Sequence, residues 1–163
     1  GKRKMHENRV CIIGCGNPLM GNDGVGILVM HLFERRFPGV DTIDGGTGGF
    51  DLIPLMEGYD KVVIVDATVG IGDHTGDVVT FENLPTPEVP ARIPHDIGIV
   101  DAVTMAKELG YTGEIVVIGI EVGEIQAFSQ EIDPAVREGI HVAEEKILAI
   151  LEEWIDCRGT IKD

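Results

Sequence analysis

Asp23, Asp44 and Asp66 each fall just after an apolar run that reads as a β-strand, or after its glycine-rich extension, and His95 follows a long proline-rich connection. Open α/β sheets bind ligands outside the carboxyl ends of their strands. That rule alone gathers the three acids along one sheet edge and lets the histidine loop return to it. Two carboxylates and an imidazole make an oxygen and nitrogen donor set suited to a divalent transition metal such as nickel, zinc, manganese or iron, with positions left for water or substrate. Each residue also has an ordinary reading. Asp23 or Asn22 can cap the following helix by accepting backbone N–H bonds, and Asp66 can be a solvated residue leaving its strand. A single histidine is more often a hydrogen-bonded structural group than a ligand. Of His6, His31, His74 and His141, only His74, in a loop, competes with His95 as a donor.

The segment that delivers Asp23 is Gly14-Cys15-Gly16-Asn17-Pro18-Leu19-Met20-Gly21-Asn22-Asp23-Gly24-Val25-Gly26, which follows the strand-like Val10-Cys11-Ile12-Ile13. It imitates a dinucleotide-binding turn, with Asp44 closing the next strand as a ribose-binding acid does. The spacing fails, because Leu19 stands where the third glycine belongs and Pro18 stiffens the turn that should wrap a pyrophosphate. A second glycine strip, Asp44-Gly45-Gly46-Thr47-Gly48-Gly49, reads first as backbone needing positive φ. Its other reading is a strip where an extended peptide approaches the main chain. No Gly-x-Ser-x-Gly elbow is present, and neither Ser129 nor any cysteine has an evident base, which argues against a serine or cysteine hydrolase.

The elements that must position these groups alternate. A helix is predicted from about Asp23 to Phe37 on the spacing of Val25, Leu28, Val29, Leu32 and Phe33, and Pro38-Gly39 ends that segment. A short strand follows over Val40 to Ile43, then a short helix or turn over Phe50 to Met56. Lys61 to Asp66 is a buried strand of continuous β-branched residues. Asp77 to Phe81 reads as an edge strand, Leu84 to Pro94 as a connection too proline-rich for a helix, Gly98 to Leu109 as a helix and Glu114 to Glu121 as a buried strand. Asp133-Pro134 opens a last helix, with the acid as N-cap and an apolar stripe of Val136, Ile140, Ala143, Ile147, Leu151 and Trp154 packed on the sheet. This order implies a three-layer α/β/α domain with a mostly parallel twisted sheet, an edge strand and helices on both faces.

Bulk composition narrows the function. At 163 residues one core is expected, so residues 1–163 read as a single domain with 1–8 as a tail outside the fold. A net charge of −15 would repel a phosphate backbone, so no nucleic-acid partner is expected. No apolar run approaches the ~18 residues of a membrane span. Cys11, Cys15 and Cys157 are an odd count without zinc-ribbon or disulfide spacing, which fits a reducing cytoplasm, with all three as small packing groups in a strand and the last helix. A monomer is expected.

Taken together, GCGNPLMGNDGVG at 14–26, DGGTGG at 44–49, VVIVDA at 62–67 and PHDIG at 94–98 resemble the nickel-iron hydrogenase maturation endopeptidases over nearly the whole chain. The resemblance implies an enzyme that removes the C-terminal extension of a hydrogenase large-subunit precursor after nickel insertion and recognises the nickel carried by that substrate. It places the metal contacts, and with them the catalytic centre, at Asp23, Asp66 and His95. The strip of Asp44, Gly45, Gly46, Thr47 and Gly48, continuing to Gly49, is expected to accommodate the peptide. One departure is Asn22, where the family often has an acid, and Asn22 is then a candidate helix cap. The competing class is a non-enzymatic metal- or dinucleotide-binding module on the same fold.

Overall fold

The computed structural model describes residues 9–82, 97–123 and 131–162; the predicted tail at 1–8, the proline-rich connection and His95 lie outside the described residues. Five strands, β1 (Val10–Gly14), β2 (Val40–Asp44), β3 (Lys61–Thr68), β4 (Val78–Glu82) and β5 (Glu114–Glu121), form one sheet in the order β2-β1-β3-β5-β4. Pairing is parallel throughout except at β4, which runs antiparallel along β5 and closes one edge. Strands β1, β3 and β5 are buried on both faces, which is why they are written as continuous apolar runs, of valine and isoleucine in β3 and β5 and with Cys11 among them in β1.

The two-residue period of each strand divides its side chains between two cores. Val10, Ile12, Val63, Val65, Ile118 and Ile120 pack beneath α1 (Val25–His31) and α4 (Pro134–Trp154). Cys11, Ile13, Val62, Ile64, Ile115 and Val117 pack beneath α2 (Leu52–Met56) and α3 (Ile97–Glu108). The predicted three layers are therefore present, with the edge strand where the sequence put it. Among the described residues no helix is long and apolar enough to cross a membrane.

Several boundaries move for local reasons. Asp23 is not the start of α1; it belongs to a 3-10 segment, Pro18–Gly24, which Gly21 breaks at a φ of 57°. Helix α1 ends at His31, six residues before Phe37, and the chain leaves it through turns in which Arg35 takes a φ of 55°. Only part of the predicted apolar stripe is a core stripe: Val25, Val29 and Phe33 are fully buried, whereas Leu28 and Leu32 face solvent. Asp44 is the last residue of β2 and not the first of its loop. Asp133 takes the N-cap position of α4, but its side chain makes no cap hydrogen bond. Cys157 is not a packing group of the last helix, because α4 stops at Trp154 and Cys157 lies exposed in the turn beyond it.

Candidate functional site

Topology brings the loops together. Because β1 lies between β2 and β3, the segment leaving its carboxyl end meets the loops leaving both neighbours, and the β1/β3 crevice is where the strand order reverses. Backbone bonds continue the sheet past its strands: Cys15 N–H donates to the Val65 carbonyl at 2.8 Å, Gly45 N–H to Gly14 at 2.8 Å and Gly16 N–H to Gly46 at 2.7 Å. The first loop is thereby sutured to the glycine strip on one side and to the strand carrying Asp66 on the other.

Close packing of glycines permits this. A Cβ on Gly26 would sit 2.3 Å from the Val65 carbonyl oxygen and 2.4 Å from that of Cys15, so only glycine lets the first turn of α1 rest on β1 and β3. Gly45 is required for the same reason and not for positive φ, since its Cβ would meet Ile13, Cys15 and Leu52. Gly46, Gly48 and Gly49 do take positive φ, as their sequence suggested.

The result is a cavity of about 280 Å³ walled by Gly16, Asn17, Met20 and Asp23 from the first loop, Thr47, Gly48 and Gly49 from the glycine strip, and Asp66 from β3. Asp23 is 4% exposed and Asp66 2% exposed. Asn17 N–H donates to Asp23 Oδ2 at 3.0 Å, and Ala67 N–H donates to Asp66 Oδ1 at 2.8 Å. Neither acid takes its ordinary reading, because Asp66 is buried and the N-cap of α1 is Gly24, with no side-chain cap. Two buried carboxylates on one small cavity favour a cation there, because the low-dielectric walls leave their field little screened. Oxygen donors of this kind suit a divalent metal ion.

The remaining candidates separate. Thr47, Gly48 and Gly49 reach the cavity wall; Asp44, Gly45 and Gly46 do not, and the Asp44 carboxylate instead accepts from Gly46 N–H at 2.8 Å to shape the turn. His74 stands exposed beside Asp77 and is not in the wall, while His95 lies outside the described residues. Among the described residues no group of three or more His, Cys, Asp or Glu side chains comes together as a metal site. Asn22 is not a helix cap either: its Nδ2 donates to Asp133 Oδ2 and its Oδ1 accepts from Asp133 N–H, both at 3.1 Å. A larger hollow of about 710 Å³, lined in part by Phe37, Pro38, Leu148, Leu151 and Ile155, contains none of the candidate residues.

Three residues escaped the sequence reading. Asn17 and Met20 wall the cavity, and Asn17 also closes its own turn by accepting Leu19 N–H at 3.0 Å; the Asn-Pro pair is a turn signal that pointed there. Glu121 ends β5 as Asp66 occupies the carboxyl half of β3, so the strand-end rule applied to it equally. Its carboxylate is 3% exposed and accepts backbone N–H bonds from Gly70, Ile71, Gly72 and Gly123 at 2.9 to 3.0 Å, with the Thr68 hydroxyl at 3.2 Å. Burial pushes the carboxyl pKa up, and the four backbone donors outweigh it, leaving Glu121 below the ordinary glutamate range. The anion locks the loop that leaves β3 to the end of β5.

Comparison with known proteins follows the same lines. Residues 27–150 match the family model described as hydrogenase maturation protease. The hydrogenase 2 maturation protease of Escherichia coli is 28% identical over 157 residues, covering 89% of this chain and 92% of that protein. The hydrogenase expression/formation protein HupM of Azotobacter chroococcum is 30% identical over 158 residues, covering 93% and 74%. Among solved structures, the hydrogenase maturating endopeptidase HybD from E. coli superposes with a TM-score of 0.75 at 26% identity, covering 89% of this chain and 93% of that one. The NiFe hydrogenase maturation protease HybD from Thermococcus kodakarensis gives 0.72 at 28% identity, covering 87% and 98%.

Proposed function

The chain belongs to the hydrogenase maturation protease family, and from that premise we propose that it is an endopeptidase that removes the C-terminal extension of a nickel-iron hydrogenase large-subunit precursor once nickel has been inserted. The observation that carries the reading is the single cavity shared by Asp23, Asp66 and the glycine strip. In this reading Asp23 and Asp66, with His95, contact the nickel that the precursor brings, and Thr47 to Gly49 receive the extended peptide beside it. The nickel is part of the substrate.

Each side of the cavity has its own task. The carboxylates draw in a cation that water-exposed acids would hold only weakly, because burial removes the screening. Asn17 N–H fixes Asp23 and Ala67 N–H fixes Asp66, so the oxygens are oriented before substrate arrives. Glycines at 48 and 49 leave no side chain between the peptide and the floor of the groove. Hydrolysis adds water across the scissile amide: oxygen bonds to the carbonyl carbon, the C–N bond breaks, and the departing amine takes a proton. A divalent ion near that carbonyl supplies Lewis acidity. We place the reaction in the cytoplasm, with the enzyme acting as a monomer on a transiently bound precursor.

Mass spectrometry of a nickel-loaded large-subunit precursor, with and without this protein, is the direct test: the precursor should shorten by its C-terminal extension. Asp23→Asn and Asp66→Asn should each slow that processing by about 100-fold or more, the scale of losing an oriented charge at a reacting centre. Unchanged precursor mass with the wild-type protein would reject the proteolytic reading in favour of a binding module. Wild-type rates in both variants would remove the two acids from the mechanism.

A further inference from the structure

Helix α1 carries more apolar surface than its packing uses. Val25 and Val29, continued by Phe33 in the turn beyond the helix, are the buried stripe, whereas Leu28 and the C-cap residue Leu32 form a second i, i+4 pair on the outer face, each 41% exposed. Leu28 also walls a hollow of about 320 Å³ with Pro18, Gly21, Gly24 and Ile132. That hollow and the acidic cavity are built from the same seven-residue segment, Pro18–Gly24: Pro18, Gly21 and Gly24 line one, and Met20 and Asp23 line the other. Leu19, on this segment, is 60% exposed. Isolated surface leucines need no explanation, but Leu28 and Leu32 one helical turn apart, with Leu28 walling a hollow built from the segment that also carries Leu19, form a patch of the kind that marks protein contact.

Two occupants have to be weighed. A second copy of this chain would bring another net charge of −15 against the first, a long-range repulsion that a few leucines oppose poorly. The substrate protein carries no such requirement, and a metal-bearing end that enters the cavity brings it against the Pro18–Gly24 segment, which lines both cavity and hollow. We propose that Leu19, Leu28 and Leu32, with Pro18 and Ile132, form the surface on which the body of the precursor protein docks, through an apolar side chain seated in the hollow beside Leu28. This inference rests on the proposed function and adds the partner-binding face to it. The partner chemistry it implies is an apolar knob on a surface that is less acidic than this one.

The test is the doubly substituted Leu28→Ser/Leu32→Ser protein, whose changes lie on an exposed face, measured with nickel-loaded precursor by initial rates and by co-sedimentation. Docking through this patch requires KM and the precursor Kd to rise about tenfold or more, with kcat within twofold of wild type and Tm unchanged. Unaltered KM and Kd, or a loss confined to kcat, would overturn it. So would a wild-type dimer at pH 7, where the net charge is −15, that the substitutions dissociate, because the patch would then belong to a second copy. A wild-type protein that binds the precursor without shortening it, with binding weakened in the variant, would remove the proposed activity and leave the docking face standing. A wild-type protein that neither binds nor cleaves would remove both.

Discussion

Asn22 immediately precedes the residue that reads as a metal contact and is buried like it, and its surroundings explain why an amide serves there. Its side chain spans 111 residues of sequence to pair twice with Asp133, donating to the carboxylate and accepting from the backbone N–H. A carboxylate at position 22 could still accept the N–H but would face the Asp133 carboxylate with no proton to offer. Asn22→Asp is therefore expected to lower stability by about 1–2 kcal/mol, the worth of one hydrogen bond plus a partly screened repulsion, seen as a fall of a few degrees in Tm. Asp133→Asn added to it restores a donor on the other side of the pair, so the double variant should recover most of the loss. A double variant no more stable than Asn22→Asp would show that the pair does not hold the segment.

At the scale of elements, the site depends on how closely α1 can approach the sheet. Gly26→Ala would press a methyl group against the Val65 carbonyl oxygen in β3 and the Cys15 carbonyl oxygen just past β1, both backbone atoms that cannot swing aside as a side-chain end can. Overpacking of this kind costs about 1–3 kcal/mol. Because those two carbonyls flank the cavity loop, processing should fall together with Tm, whereas Asp66→Asn should slow processing without lowering Tm. Thermal melts of the two variants beside their rates separate the effects. Elements such as β3 and β5 were legible in the chain because an unbroken β-branched run has few other uses in a sheet covered on both faces. The glycine strip and the acids at the strand ends were legible too, since local types and spacing carry them. What stayed hidden is written in long-range partners. Asp133 reads as a helix cap from its neighbours, and only the fold reveals that Asn22 claims its carboxylate. Leu28 and Leu32 obey the same 3.6-residue period as the buried stripe, so periodicity could not tell which side of α1 meets the sheet. Glu121 finds three of its four backbone donors 49 to 51 residues upstream, at Gly70, Ile71 and Gly72, where no sequence pattern marks them.

For the molecule as a whole, acid should act in two separable stages. The net charge of −15 at neutral pH shrinks toward zero near the sequence pI of 4.6, and with it the repulsion that keeps the exposed leucines of two copies apart. Glu121 behaves differently. Its folded pKa lies below the ordinary value, so the stability it contributes is complete above the unfolded glutamate pKa of about 4.3 and is lost only as pH falls through the lower folded value. Self-association should therefore grow between about pH 6 and the pI while the fold stays intact, and loosening of the loop at Gly70–Gly72 should follow at lower pH. Sedimentation should show a mass near 17.6 kDa, independent of concentration, at pH 7 and larger species near pH 4.6. Leu28→Ser/Leu32→Ser should suppress those species without moving the acid unfolding midpoint seen by circular dichroism. Glu121→Gln, which keeps the size of the side chain but not its charge, should do the reverse: it should flatten the stability profile below about pH 4.3 and leave association near the pI unchanged. If both stages coincided at one pH in the wild-type protein, and both variants shifted them together, charge loss and clamp loss would be a single unfolding event and the separation argued from Glu121 would fail.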